Sequence, residues 1–196
     1  MRYDAEHKRK TREKVLEAAA EAIRAEGPHK IGVAGVMAKA GLTHGGFYAH
    51  FQSKDDLVAQ AVEHMFERST LKRVDRIPGL SSEQKLSAFV DHYLSQSHRD
   101  SPIGCPMPAV AADAPRLTPE VRGVYAARVA SLTARIAELL GDLGHAEPHD
   151  LATSTVAEMV GGLVLARAEP DRARSDLMLG RSKHILKQRL NLEPQL

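Results

Sequence analysis

Lys8, Arg9, Lys10, Arg12 and Lys14 crowd one end of this chain, and Thr43, His44, Tyr48, His50 and Lys54 follow a few dozen residues on. Ammonium and guanidinium groups neutralise phosphates, while hydroxyl and imidazole groups bond phosphate oxygens or base edges. The net charge is only +2, which by itself points to no nucleic acid. Its distribution is more telling. Six basic and three acidic residues fall among the first fourteen, a local +3 that leaves the remainder at −1. Other chemistry is thin. His145, Glu147, His149 and Asp150 are near neighbours, but they fall at a loop and helix start without the i, i+4 spacing that aims two imidazoles at one ion, so no metal is expected. Cys105 is the one cysteine, which excludes an internal disulfide and a cysteine-rich zinc site. No nucleophile elbow, phosphate-cradling glycine loop or carboxylate pair marks a catalytic centre. Neither an enzyme nor a cofactor is expected.

The elements that must position the first group form a helix-turn-helix. Val36, Met37 and Ala40 make an apolar stripe at helical spacing, and Gly41 suits the left-handed stop that follows. Thr43 stands where a second short helix begins, and its hydroxyl can accept a bond from the backbone beyond it. Phe47 and Phe51, four apart, supply that helix with a face to pack on the first. Ser53 and Asp56 read as a capping box with Asp for Glu, opening a third helix through Leu57, Val58, Ala61 and Val62.

The run from Gly41 to Leu57, GLTHGGFYAHFQSKDDL, resembles the TetR family of bacterial transcriptional regulators, most specifically in Tyr48-x-x-Phe51-x-Ser53-Lys54-x-x-Leu57. The resemblance is strong over the first sixty residues and thin beyond. It implies a homodimeric repressor whose partner is double-stranded operator DNA. Thr43, Tyr48 and Lys54 would hold the DNA backbone, Arg12 and its basic neighbours would neutralise phosphates, and His44 would reach a base edge. Gly45 and Gly46 would let the backbone approach the groove closely, with His50 nearby. Gly32 departs from the Thr or Ser usual near the start of the second helix.

Composition and pattern carry the rest. A hydrophobic content of 43% with 4% aromatic residues and no Trp requires a core of Ala, Leu, Val and Ile, which suits helices. Met1 is followed by charge, and the longest apolar run, Met159 to Ala166, is too short to span a membrane, so the reading is cytoplasmic with no membrane partner. The first helix covers about His7–Glu26, and the helix opened at Ser53 continues to about Arg73. Ser81 and Gln84 cap a helix with Leu86, Phe89, Val90, Tyr93 and Leu94 on one face. Five prolines from Pro102 to Pro119, with Gly104 among them, allow only short turns, one of them about Met107–Ala112. Long helices then start at Pro119, Pro148 and about Asp171, the second reaching Arg167 and the third Leu190. The fold expected is all-α: a three-helix head (1–62) and a larger helical body (63–196).

Gly161-Gly162 inside an apolar helix costs about 1 kcal/mol per glycine, which close packing against another helix, including one from a second subunit, or helix flexibility near a pocket would explain. The resemblance places dimerisation on the last two long helices. It also implies a small-molecule inducer held in the body, where Phe66, Leu86, Phe89, Tyr93, Cys105, Met107, Tyr125 and Met159 supply an apolar and adaptable lining. Cys105, if at a helix N-cap, would favour thiolate and an electrophilic ligand. An enzyme with metal near His145, and an interaction module whose helix-turn-helix no longer meets DNA, are the rival readings.

Overall fold

The computed structural model describes residues 2–67, 70–101 and 104–192, with side chains from residue 6 onward. Every regular element among them is helical. Packing divides the chain into two compact units, one of residues 1–67 with 105–128 and one of residues 68–104 with 129–196.

The first unit is built on α1 (Arg2–Glu26), whose Val15, Ala19 and Ile23 are fully buried. Against it lie α2 (Val33–Lys39), α3 (Lys54–Glu67) and α7 (Pro106–Ala111). Segment 105–128 joins this unit because Met107, Val110 and Val121 are buried in it, and because Arg128 ion-pairs with Glu63 and Glu67 of α3. The division at residues 62 and 63 follows chain order, whereas packing returns a later segment to the first helices. Such a return leaves no mark in local periodicity.

The second unit contains α4 (Thr70–Asp75), α5 (Ser82–Tyr93), α6 (Gln96–Arg99), α9 (Pro148–Ala168) and α10 (Arg172–Arg189). It also takes the second half of α8 (Pro119–Asp142). The start signals operate as the side chains require. Ser81 Oγ accepts from Gln84 N–H while Gln84 Oε1 accepts from Ser81 N–H, the full capping box. Asp171 Oδ1 accepts from the backbone of Ala173 and Arg174 to open α10. The helix expected from Ser53 to Arg73 is described as α3 and α4, and residues 68–69 lie outside the described residues. Helix α6 is an addition, a single turn capped by Ser95, whose hydroxyl accepts from His98 N–H. On α8, Val121, Ile136, Leu139 and Leu140 are buried, but Val124, Tyr125, Val129 and Leu132 are only half-buried.

Gly162 has a packing reason inside one chain: a Cβ there would stand 3.4 Å from Leu94 Cδ2 and 3.5 Å from Ser182 Oγ. Gly161 meets nothing within 4 Å. Helix α9 as a whole, 21 residues, is long and apolar enough to cross a membrane by length and composition, although its longest apolar run is not. Its Ala152, Thr155, Val156, Met159, Leu163 and Ala166 are buried where it packs on α5, α6 and α10, as the core helix of a globular unit does. His145 Nε2 lies 3.2 Å from the Leu190 carbonyl, which gives this histidine a place at the end of α10.

His98 makes the second unit sensitive to acid. Its ring stacks on His92 and meets Tyr93 edge-on, and Nδ1 lies 2.9 Å from the Tyr93 carbonyl. Burial lowers its pKa from 6.5 to about 4, opposed by the Tyr93 bond and assisted by His92 and Arg167. The folded state therefore binds fewer protons than the unfolded state between these values, and stability falls as pH drops from about 6.5 to about 4. The expected loss is at most about 3.4 kcal/mol, at about 1.36 kcal/mol for each tenfold change in proton affinity between pH 6.5 and about 4. Urea unfolding of His98→Gln should show a flatter pH dependence across this window. An unchanged slope would assign the acid sensitivity to other groups.

Candidate nucleic-acid interface

Helix α2 buries Val36 and Met37 and ends in a turn set by Gly41, which has φ +76°. Gly41 N–H donates to the Ala38 carbonyl and Leu42 N–H to the Met37 carbonyl, satisfying two of the helix's last acceptors. An L side chain at Gly41 would be strained, so the glycine sets the angle at which the chain leaves α2. The second element follows as a 3-10 helix, His44–Ala49, not an α-helix. Thr43 is its N-cap but makes no side-chain bond to the backbone, so its exposed hydroxyl is available outward. Two glycines and a six-residue length favour the tighter winding, because nothing here funds a longer α-helical ladder.

Aromatic packing holds this short helix in place. Phe47 and Phe51 are buried with ring centroids 5.6 Å apart, and the Tyr48 ring meets Phe47 edge-on at 5.1 Å. Tyr48 is nevertheless 72% exposed. One edge of its ring is fixed while its remaining surface faces outward. The Arg12 guanidinium sits 5.4 Å from the Phe51 ring centroid, a cation–π contact that ties α1 to the motif. His50 is half-buried beside Arg12 and Lys8. Burial first, then these two charges, lower its pKa, and its buried Nδ1 has no hydrogen-bond partner. Lys8, one of the basic neighbours of Arg12, belongs to this cluster through its i, i+4 spacing to Arg12 on α1.

At the start of α3, Ser53 Oγ accepts from Asp56 N–H, but the Asp56 carboxylate accepts from Gln52 N–H, not from Ser53. The shorter Asp side chain thus clamps the residue before the cap. Lys54 reaches back, its Nζ donating to the His29 carbonyl at 3.1 Å. Thr43, His44, Gly45, Tyr48 and Lys54 are therefore exposed on one motif, Arg12, Gly46 and His50 are half-buried in it, and all eight lie in the first unit.

The residues expected to line a ligand site fall into two sets. Phe66, Cys105, Met107 and Tyr125 belong to the first unit, where Tyr125 meets Phe66 edge-on at 6.1 Å and donates its hydroxyl to the Met107 carbonyl at 3.1 Å. Cys105 is the N-cap of α7, as its place between Gly104 and Pro106 suggests, and it is buried. Leu86, Phe89, Tyr93 and Met159 belong to the second unit and are buried there, with Phe89 and Tyr93 edge-on at 5.7 Å.

A helix-turn-helix with an aromatic lock, outward hydroxyl and imidazole groups and a basic helix end defines a DNA-binding protein of the regulator class. Residues 15–61 match the model for bacterial regulatory proteins of the TetR family, and residues 82–179 match that for the tetracyclin repressor-like C-terminal domain. The chain belongs to the TetR family of bacterial transcriptional regulators, which bind DNA and are not enzymes. It is similar to an HTH-type transcriptional regulator of Mycobacterium tuberculosis, 26% identical over 189 residues, with 89% of this chain and 93% of the relative covered. Its fold is similar to that of E. coli NemR in its reduced form, with a TM-score of 0.80, 19% identity, and 91% of this chain and 96% of the other covered. A TetR regulator from Chloroflexus aurantiacus gives a TM-score of 0.79 at 24% identity, with 95% and 96% covered.

Proposed function

We propose that this protein is a cytoplasmic homodimeric repressor, released from a palindromic operator by a small hydrophobic or electrophilic ligand. The observation that carries the DNA half of this reading is the exposed, aromatically locked motif from Thr43 to Lys54. Two copies would enter successive major grooves about 34–36 Å apart. Functionally, residues 1–62 would serve the operator and residues 63–196 would serve ligand and dimer. The apolar residues Phe66, Leu86, Phe89, Tyr93, Met107, Tyr125 and Met159 favour a hydrophobic inducer, and Cys105 an electrophilic one. By reciprocity, an inducer that weakens operator binding is itself bound more weakly by the operator-loaded protein.

Dimerisation is supported by the outer face of α9 and α10. Val164, Leu165, Leu177 and Ile185 are exposed by 42%, 59%, 55% and 55%. Ala157, Val164, Leu165 and Ala168 recur at helical spacing on α9 together with open Gly161, and Ala173, Leu177 and Gly180 do so on α10. An apolar patch of this kind on two long neighbouring helices is what a self-complementary interface requires.

Positioning and reading of DNA separate by salt. Lys54→Ala removes one positive charge at a helix start, so it should weaken operator and scrambled DNA alike and reduce the salt slope by about one phosphate's share. His44→Ala should cost roughly 1–3 kcal/mol on the operator and relax preference at one symmetric pair of positions. The measurement is affinity for both DNAs across a salt series, beginning with the DNA flanking the protein's own gene. Equal losses for His44→Ala on both DNAs would make it a backbone contact. No effect of either variant would take this motif out of the groove.

A further inference from the structure

The reading face of the motif is unusual for what it lacks. Between Val33 and His50 the exposed residues are Ala34, Gly35, Ala38, Lys39, Gly41, Thr43, His44, Gly45, Tyr48 and Ala49. None is Arg, Asn or Gln, the side chains that grip guanine or adenine with two parallel bonds. Lys39 is the one long cation in the set, and its ammonium is 2.5 Å from the Glu21 carboxylate on α1. Gly45 adds no side chain, and it shares a 3-10 face with Tyr48, three residues on. What remains is one imidazole, one threonine with both hydroxyl and methyl, an exposed phenol ring and exposed alanine methyls.

We propose that this chain selects its operator through a single hydrogen-bonding reader, His44, and otherwise through thymine methyl groups and DNA shape. The inference rests on the operator reading above. His44 is exposed at the first turn of the 3-10 helix, and its imidazole N–H can donate one bond at a time to a purine N7. The Thr43 methyl, the exposed alanines and the Tyr48 ring match the thymine C5-methyl, the apolar feature of the major groove. Phosphate contacts by Arg12, Tyr48 and Lys54 fix register, so the cost of shaping the duplex to that register becomes a sequence preference at base pairs no side chain touches. A half-site of this kind carries several thymines and one purine that matters, and the ratio of specific to non-specific affinity lies near the low end of the usual range, about 10³.

Gly45 offers the converse test. A Cβ there meets nothing within 4 Å, and the backbone is not in the left-handed region, so a side chain can be added without strain. Gly45→Arg places a guanine-gripping fork on the face that lacks one.

The experiment starts with a randomised duplex pool selected on the full-length protein. Affinities are then measured on the enriched site with deoxyuridine for thymine and 7-deazapurine for purine, one symmetric pair at a time. The result expected is a loss of about fourfold per methyl at two or more thymine pairs in each half-site. Sensitivity to 7-deazapurine should appear at one symmetric pair only and vanish in His44→Ala. Gly45→Arg should enrich a new guanine at one symmetric pair, with about 5- to 150-fold discrimination. An enriched site in which two or more purine positions per half-site lose over thirtyfold on 7-deaza substitution, with demethylated thymines neutral, overturns the inference while leaving the operator reading intact. A pool that yields no enriched sequence overturns both.

Discussion

If α9 and α10 form the proposed homodimer interface, Leu165→Glu combined with Leu177→Glu should give a folded monomer and lower operator affinity by at least about a hundredfold. Both leucines are more than half exposed in the single chain, so within it their replacement costs little. Across a two-fold interface the same pair would appear twice, and burying the exposed part of each leucine contributes about 1 kcal/mol. Four leucines therefore amount to about 4 kcal/mol, about three decades in the dimer constant. The new carboxylates add a desolvation penalty in the same direction. A monomer meets one half-site and loses half of the phosphate contacts, which lowers affinity for every DNA and the salt slope with it. Sedimentation at micromolar protein, helicity by circular dichroism and operator titration are the measurements. A variant that stays dimeric at these concentrations would remove α9 and α10 from the interface, whatever its DNA affinity.

The second large effect is on stability. Arg99 has a side chain only 2% exposed. Its Nη1 donates to Ser175 Oγ and Asp176 Oδ1, each at 2.6 Å, and its Nε and Nη2 donate to the two carboxylate oxygens of Asp100 at 2.9 and 3.1 Å. Asp100 is gripped a second time by Arg172, and these two arginines, Arg172 foremost, hold its carboxyl well below the usual carboxylate range. Ser175 Oγ donates a hydrogen bond to the Ala166 carbonyl, and Arg167 donates to the carbonyls of His98 and Arg99. One turn of helix is thus fastened to the junction of α9 and α10 by charge-assisted bonds. Arg99→Ala should cost about 3–5 kcal/mol, since it leaves a void and strands acceptors that the guanidinium satisfied. Arg99→Met should cost less, about 1–3 kcal/mol, because it keeps the volume and both carboxylates reach water. Urea unfolding at one fixed protein concentration tests the order, concentration being held because the proposed dimerisation would contribute to apparent stability. An Arg99→Ala protein within 1 kcal/mol of the parent would show that the network adds nothing net.

Much of the architecture was legible residue by residue. Ser81 with Gln84, Pro119, Pro148 and Asp171 mark helix starts because the orphan N–H groups of a first turn need local partners, or lack a donor to satisfy. Gly41 marks a stop because few other residues tolerate its backbone angle. The motif around Tyr48, Phe51 and Lys54 was equally open to reading, since its aromatic lock and cap lie within about ten residues of each other.

What the sequence by itself determined was therefore mostly what near neighbours govern: where most helices begin and end, and which face is apolar. Tertiary structure alone decided the rest. It returned 105–128 to the first helices, where Arg128 finds Glu63. It gave Arg99 partners at Ser175 and Asp176, more than seventy positions away. It assigned Gly162 to packing on Leu94 and Ser182 while leaving Gly161 open, although the two glycines are adjacent and identical in type. It also left Leu165 and Ile185 outside while burying Leu163 and Leu186. Periodicity says that a helix has an apolar side, but only the neighbouring helices say how much of that side they cover, and what stays uncovered is where a second copy has something to bind.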